Sequence, residues 1–123
     1  MSADSKKTLV LGASGNPARY SFHAINKLRE HNHPVVAIGK RPSQVADVPI
    51  DIKTGPIGDL DTVSIYLNRD NQKNYYDYIL SQHPHRVIFN PGAENPEFEL
   101  LLADKGIKVL EACTLVLLST GQY

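Results

Sequence analysis

At 123 residues, with thirteen basic and thirteen acidic side chains, the chain has room for one core and no net field to draw it to nucleic acid or an anionic membrane. Its single cysteine, Cys113, excludes an intrachain disulfide and makes a cysteine-based zinc site implausible, which fits a reducing, cytoplasmic setting. Met1–Lys7 is polar, without the apolar stretch of a signal peptide, and the apolar run Leu115–Leu118 is far too short to span a bilayer.

Residues 1–7 read as a flexible tail and 8–123 as one domain. Thr8–Leu11 is a short apolar run, the pattern of a parallel strand covered on both faces. Gly12–Arg19 is a small-residue turn, and Ser21–Glu30 follows with Phe22, Ile25 and Leu28 spaced along one helical face. His31–Pro34 ends that helix, Val35–Ile38 is a second strand, and Gly39–Pro42 turns the chain. Residues 43–61 carry only a weak strand near Ile52–Lys53. Thr62–Leu67 reads as the third strand, Asn71–Gln82 as a helix striped by Tyr75, Tyr76, Ile79 and Leu80, and Arg86–Phe89 as the fourth strand. Asn95–Pro96–Glu97 has the chemistry of a helix start: a capping amide, a proline at the first helical position and an acid in the first turn. That helix carries Phe98, Leu101 and Leu102 and stops at Gly106; Ile107–Leu110 is the fifth strand and Thr114–Ser119 a short last helix.

Strands alternating with helices predict an α/β fold: a three-layer, Rossmann-like, doubly wound parallel sheet of about five strands, with right-handed crossovers and the order 3-2-1-4-5. The first and fourth strands then lie side by side, and a ligand is expected at the carboxyl ends of the strands beside that switch point. The first turn has the make-up of an anion site. Gly12 and Gly15 permit close backbone approach, and the helix that follows offers unpaired N–H groups at the positive end of its dipole. Gly12, Ala13, Ser14, Gly15, Asn16 and Arg19 are the residues expected to meet a phosphate or pyrophosphate. The dinucleotide fingerprint is only partly met, the spacing being G-x-x-G.

A domain of this type that reads NAD places an acid at the end of its second strand. This chain has Gly39, Lys40 and Arg41 there instead. Cations in that position suit an extra ribose phosphate, which NADP and coenzyme A carry; the plainer reading is a solvated turn.

At this point the chain resembles the small bacterial CoA-binding proteins, whose fold is similar to the CoA-binding domain of succinyl-CoA ligase. The resemblance is carried by Gly12–Ala13–Ser14 with Asn16–Pro17 and Arg19–Tyr20–Ser21, then by Asn90–Glu97, Glu111–Thr114 and Thr120–Tyr123, and extends from Thr8 to the end. It implies that Gly12, Ala13, Ser14, Arg19 and Lys40 hold the nucleotide end, and that Tyr66, Pro91 and Gly92 line the pantetheine path. Many relatives have Asn-Pro where this chain has Gly39–Lys40, so the contact at Lys40 and Arg41 is inferred from charge. The family implies CoA binding without an agreed reaction.

No catalytic constellation stands out. Cys113 lies near the ligand edge with no base marked beside it and reads as structural. His31/His33 and His83/His85 precede strands, at the amino edge, and read as solvated turn histidines; His23 reads as a surface residue. Glu97 is explained by capping, whereas Glu94 and Glu111 remain open as ligand-orienting acids. Tyr75, Tyr76 and Tyr78 read as helix packing. The expected function is a non-catalytic module for coenzyme A or an acyl-CoA. The alternative is a small NADP-dependent reductase or NADP sensor, suggested by the Gly12–Gly15 turn, though the chain shows no segment to hold a second substrate. The expected partner is a small nucleotide ligand, with no nucleic acid or membrane; a homodimer or a larger partner subunit stays open.

Overall fold

Residues 5–123 are described in a computed structural model. Among them seven strands form one sheet: β1 (Thr8–Ala13), β2 (Val35–Gly39), β3 (Ser43–Val45), β4 (Val48–Asp51), β5 (Thr62–Ile65), β6 (Arg86–Phe89) and β7 (Lys108–Glu111). The order is β3-β4-β2-β1-β5-β6-β7, and every pairing is parallel except β3 with β4. The doubly wound α/β architecture is therefore as expected, with seven strands rather than five. The six parallel strands run 3-2-1-4-5-6 in chain order, but the third place belongs to β4. Thr62–Ile65, expected there, lies beside β1 instead, between it and β6.

The added strands come from residues 43–51. Val45, Val48 and Ile50 are buried and alternate with exposed Pro49 and Asp51, a half-buried edge pattern that the internal proline and nearby acids obscure. A two-residue turn, Ala46–Asp47, closes this hairpin. Arg29 pins the turn to the first helix: its Nε and Nη2 donate to the two Asp47 carboxylate oxygens at 2.9 and 3.0 Å. The pair is solvent-exposed, so it orients the hairpin more than it stabilises the fold.

Five helices cover the faces: α1 (Tyr20–Glu30), α2 (Arg69–Gln72), α3 (Tyr76–Gln82), α4 (Pro96–Asp104) and α5 (Thr114–Ser119). α1 and α5 pack on one face, over Val10, Ala37 and Ile50. α3 and α4 pack on the other, over Leu9, Leu11, Ile65 and Phe89. Tyr75, Tyr76 and Tyr78 join that second cluster, and Tyr76 stacks on Phe98 at 4.1 Å. The single helix expected over 71–82 is α2, one 3-10 turn (Lys73–Tyr75) and α3. It starts early because Asn68 is the cap, its side-chain oxygen accepting from the Asn71 N–H at 2.9 Å. In α4, Asn95 caps and Pro96 leads as expected. Its buried face is Phe98 and Leu102, whereas Leu101 is exposed.

At the amino edge the chain is clamped. The Tyr123 hydroxyl meets Thr8 Oγ1, its carbonyl accepts from Arg86 Nη1 at 2.9 Å, and the Arg86 guanidinium lies 4.4 Å from its ring centroid. Arg86 Nε also donates to Thr62 Oγ1 at 3.0 Å. Of the expected tail, residues 1–4 lie outside the described residues, Lys6 N–H donates to His33 Nδ1 at 2.9 Å and Lys7 Nζ to the Gly58 carbonyl at 2.8 Å. His33 is therefore not a solvated turn histidine: it is 7% exposed and packs against Tyr123 at 4.9 Å between ring centroids.

Burial, with Lys6, His31 and Arg86 nearby and opposed only by Asp61, holds the His33 ring below the usual histidine range. The acceptor role of Nδ1 also requires the neutral form at that nitrogen. Since the unfolded chain takes up this proton first as pH falls below about 6.5, stability is full above that pH and declines below it. Thermal unfolding at pH 7.5 and 5.5 should show the loss. His33→Asn, which can accept from Lys6 but not titrate, should flatten the profile, and an unchanged slope would exclude His33 as its source.

Candidate functional site

The carboxyl ends of the parallel strands carry the expected ligand loops, and backbone packing holds the first three together. Gly12 has φ +88°, and a Cβ there would lie 3.1 Å from the Tyr66 carbonyl carbon and the Leu67 nitrogen. The Tyr66 N–H donates to the Leu11 carbonyl at 2.8 Å, fixing the loop after β5 against the turn after β1. On the other side, a Cβ on Gly39 would collide with the Ala13 carbonyl oxygen, and one on Gly15 with the Ser43 hydroxyl. The loops after β1, β2 and β5 thus touch through positions with no room for a side chain. This brings Gly12–Arg19 beside the segment carrying Lys40 and Arg41, both of which are exposed.

The turn after β1 uses some of its own donors. Ser14 Oγ accepts from the Asn16 N–H at 3.0 Å, and Asn16 Oδ1 accepts from the Ala18 N–H at 2.9 Å. Arg19 is the N-cap of α1 but makes no side-chain capping bond, and no acid sits in the first turn. α4 is the contrast, with Asn95, Glu97 and Glu99 at its start. The α1 terminus therefore presents uncompensated positive dipole to the loop where Ser14, Gly15, Asn16 and Arg19 lie. Ala13 is buried, Ser14 and Gly15 are half-buried, and Asn16 and Arg19 are exposed.

Further along the edge, buried Asn90 ties three elements together. Its amide nitrogen donates to Ser64 Oγ at 2.9 Å and to the Ile65 carbonyl at 3.0 Å, and its oxygen accepts from the Thr114 N–H at 2.8 Å. Thr114 Oγ1 and Ser64 Oγ complete the group at 2.8 Å. Beside it the buried Tyr66 hydroxyl has no hydrogen-bond partner among the described residues, and burial pushes the phenol up to about 12, so it stays neutral. Tyr66 packs with the cluster under α1 and α5.

Pro91 and Gly92 are exposed in the loop after β6. Gly92 has φ +93°, and its N–H donates to Glu94 Oε1 at 2.9 Å. Gln72, fully buried, bridges this loop to the one after β5: its Nε2 donates to the Leu67 carbonyl at 2.9 Å and the Ala93 carbonyl at 2.7 Å, while its oxygen accepts from Asn95 at 2.9 Å. Sequence reasoning missed Gln72, since a glutamine inside a helical pattern carries no mark of burial. It also missed Glu99, whose carboxylate beside Glu111, with Glu94 near, raises the Glu111 carboxyl above its ordinary range. Cys113 is half-buried at the N-cap of α5, without a capping bond. His31 and His33 follow the end of α1 and precede β2, and His83 and His85 precede β6, at the edge opposite Cys113. His23 is exposed, its Nε2 at 2.8 Å from the Pro17 carbonyl oxygen.

A family model described as a CoA binding domain matches residues 6–119. Among solved structures, one described as an uncharacterized protein is 43% identical, with a TM-score of 0.94 and coverage of 97% of this chain and 98% of its own. A Thermus thermophilus protein is 21% identical, with a TM-score of 0.80 over 97% of this chain and 91% of its own. A hypothetical protein from Pyrococcus horikoshii OT3 is 19% identical, with a TM-score of 0.82 over 92% and 81%. The latter two establish the shared fold. No curated protein matches the chain.

The glycine contacts give a direct test. Gly39→Ala places a methyl group against the rigid Ala13 carbonyl and should cost about 1–3 kcal/mol. Gly15→Ala meets a side chain that can rotate and should cost less, with Ser43→Gly restoring the loss. Gly55→Ala, with open space around it, should stay within about 0.5 kcal/mol of the parent in urea unfolding. Equal losses at Gly39 and Gly55 would contradict the close approach.

Proposed function

The chain belongs to the family of CoA-binding domains, and from that premise we propose that it is a binding module for coenzyme A or its thioesters, without a catalytic constellation of its own. The pyrophosphate rests on the Gly12–Arg19 turn, at the N-terminus of α1. Lys40 and Arg41 face the ribose phosphate, and the pantetheine arm passes Tyr66, Pro91 and Gly92. The observation that carries this reading is the contact of the β1 and β2 loops through Gly15 and Gly39, which puts an uncapped helix terminus and two cations on one stretch of the edge. A helix N-terminus suits a pyrophosphate, and cations beside it suit a ribose phosphate.

Coenzyme A carries a ribose 3′-phosphate that dephospho-CoA lacks. If Lys40 or Arg41 pairs with it, removing the phosphate should cost about 1–3 kcal/mol, roughly a five- to hundred-fold loss of affinity. The Lys40→Ala/Arg41→Ala double variant should reproduce that loss for CoA and add little for dephospho-CoA, because both changes delete one contact. Ser14→Glu, which brings a carboxylate to the turn, should abolish binding. It is more informative than any substitution of Gly12, whose positive φ makes a side chain there a folding defect. Calorimetry with CoA, dephospho-CoA, NADP and NAD reads all of these. Equal affinity for CoA and dephospho-CoA would remove the role given to the basic loop, and NADP binding tighter than CoA would make the chain an NADP protein.

A further inference from the structure

Resting on the CoA reading above, we infer that the cleft between the starts of α2 and α4 is the acyl subsite of the same crevice, and that it takes an acyl group ending in a carboxylate. The cleft has a volume of about 350 Å³ and is lined by Arg69, Asp70, Lys73, Asn95, Pro96 and Glu97. It adjoins the loops after β5 and β6, on the side of the glycine turn away from β2 and β4. With the nucleotide over β1 and β2, the thiol end of CoA runs toward those loops, as the second half of a ligand does across a switch point.

The lining decides the class of acyl group. Pro96 is its one apolar residue, so a long alkyl chain would displace water there for little apolar contact. The cavity over β2 and β4, by contrast, has Val36, Ile38, Pro56 and Ile57 in its wall. Arg69 and Lys73 stand four residues apart, and neither has a carboxylate within salt-bridge distance; Arg29–Asp47 is the one ion pair among the described residues. They are available to an incoming anion. The two acids of the cleft are differently placed. Glu97 accepts from the Tyr76 hydroxyl at 3.1 Å, and Asp70 lies in the first turn of α2, where a helix favours a carboxylate. The floor is settled as well: buried Asn95 donates to Gln72 and to the Tyr76 hydroxyl, so its amide nitrogen is already committed. Recognition of the acyl group then falls to Arg69 and Lys73, and the nearby acids hold the preference to about tenfold.

Matched thioesters that differ by one carboxylate isolate this effect. Calorimetry on the full chain would compare acetyl-CoA with malonyl-CoA and butyryl-CoA with glutaryl-CoA, alongside CoA, octanoyl-CoA and free glutarate. The dicarboxylic member of each pair should bind about tenfold tighter, octanoyl-CoA no tighter than acetyl-CoA, and free glutarate not measurably. In Arg69→Gln/Lys73→Gln the ratio within each pair should fall to about one, and in Lys73→Glu it should invert. Equal affinity within the pairs, alongside firm binding of CoA, would overturn the acyl assignment and leave the CoA reading standing. A preference that survives both variants, tightest binding of octanoyl-CoA, or free glutarate binding as well as glutaryl-CoA would overturn it too. Failure of CoA and every thioester to bind would overturn both.

Discussion

The site depends on how closely the carboxyl ends of β1 and β2 approach each other. Gly39 lies so near the Ala13 carbonyl that no side chain fits between them, and Gly15 lies as near to Ser43. Parallel strands alone would leave the loops beyond them free to splay. Here the register shifts between Leu11 and Ala13, so Ala13 pairs with Gly39 and the two turns leave the sheet in contact. Gly12, at positive φ, locks the same turn against Tyr66 and Leu67 on the other side. A short segment is thereby held at three points, and its half-buried members, Ser14 and Gly15, lead toward an α1 terminus without a side-chain cap. Rigid loops of this kind lower the ordering cost of gripping a flexible ligand.

The remaining loops are held by side chains instead of backbone contact. Asn90 joins β5, β6 and α5, and Gln72 joins the loops after β5 and β6. Both are buried amides with nearly all their polar capacity used, which makes them rigid struts. Tyr66 is the exception, a buried hydroxyl beside the Asn90 group with no partner among the described residues. The edge thus has two halves of different construction. One is a turn held by glycine contacts; the other is a polar network beside the charged cleft at α2 and α4.

Local signals carried most of the fold. The apolar run of β1, the cap Asn95–Pro96 and the short helix after Cys113 were legible because each depends on neighbours in sequence. The β3–β4 hairpin was not, since Pro49 and Asp47 mask a pattern that makes sense only once β2 is there to pair with. The place of Thr62–Ile65 depended on that hairpin: with β4 unseen, the strand at 62 took its position beyond β2 instead of its own beside β1. The burial of His33 follows from Tyr123, ninety residues away, and no local pattern announces it. At the carboxyl edge, Gly12 and Gly15 were readable as positions of close backbone approach. Ser43 and Gln72 were not, because their roles are contacts across the sheet edge.

In the proposed complex the ligand lies over the carboxyl edge with its pyrophosphate on the Gly12–Arg19 turn. A titration of the ¹⁵N-labelled protein with coenzyme A, following every backbone amide, tests it most directly. The largest shifts should fall on residues 12–21 and on Lys40 and Arg41, with a weaker trail through Tyr66 and Gly92. Shifts centred on Thr8, Arg86 and Tyr123 at the amino edge, or on residues 53–58 over β2 and β4, with residues 12–21 unmoved, would contradict it.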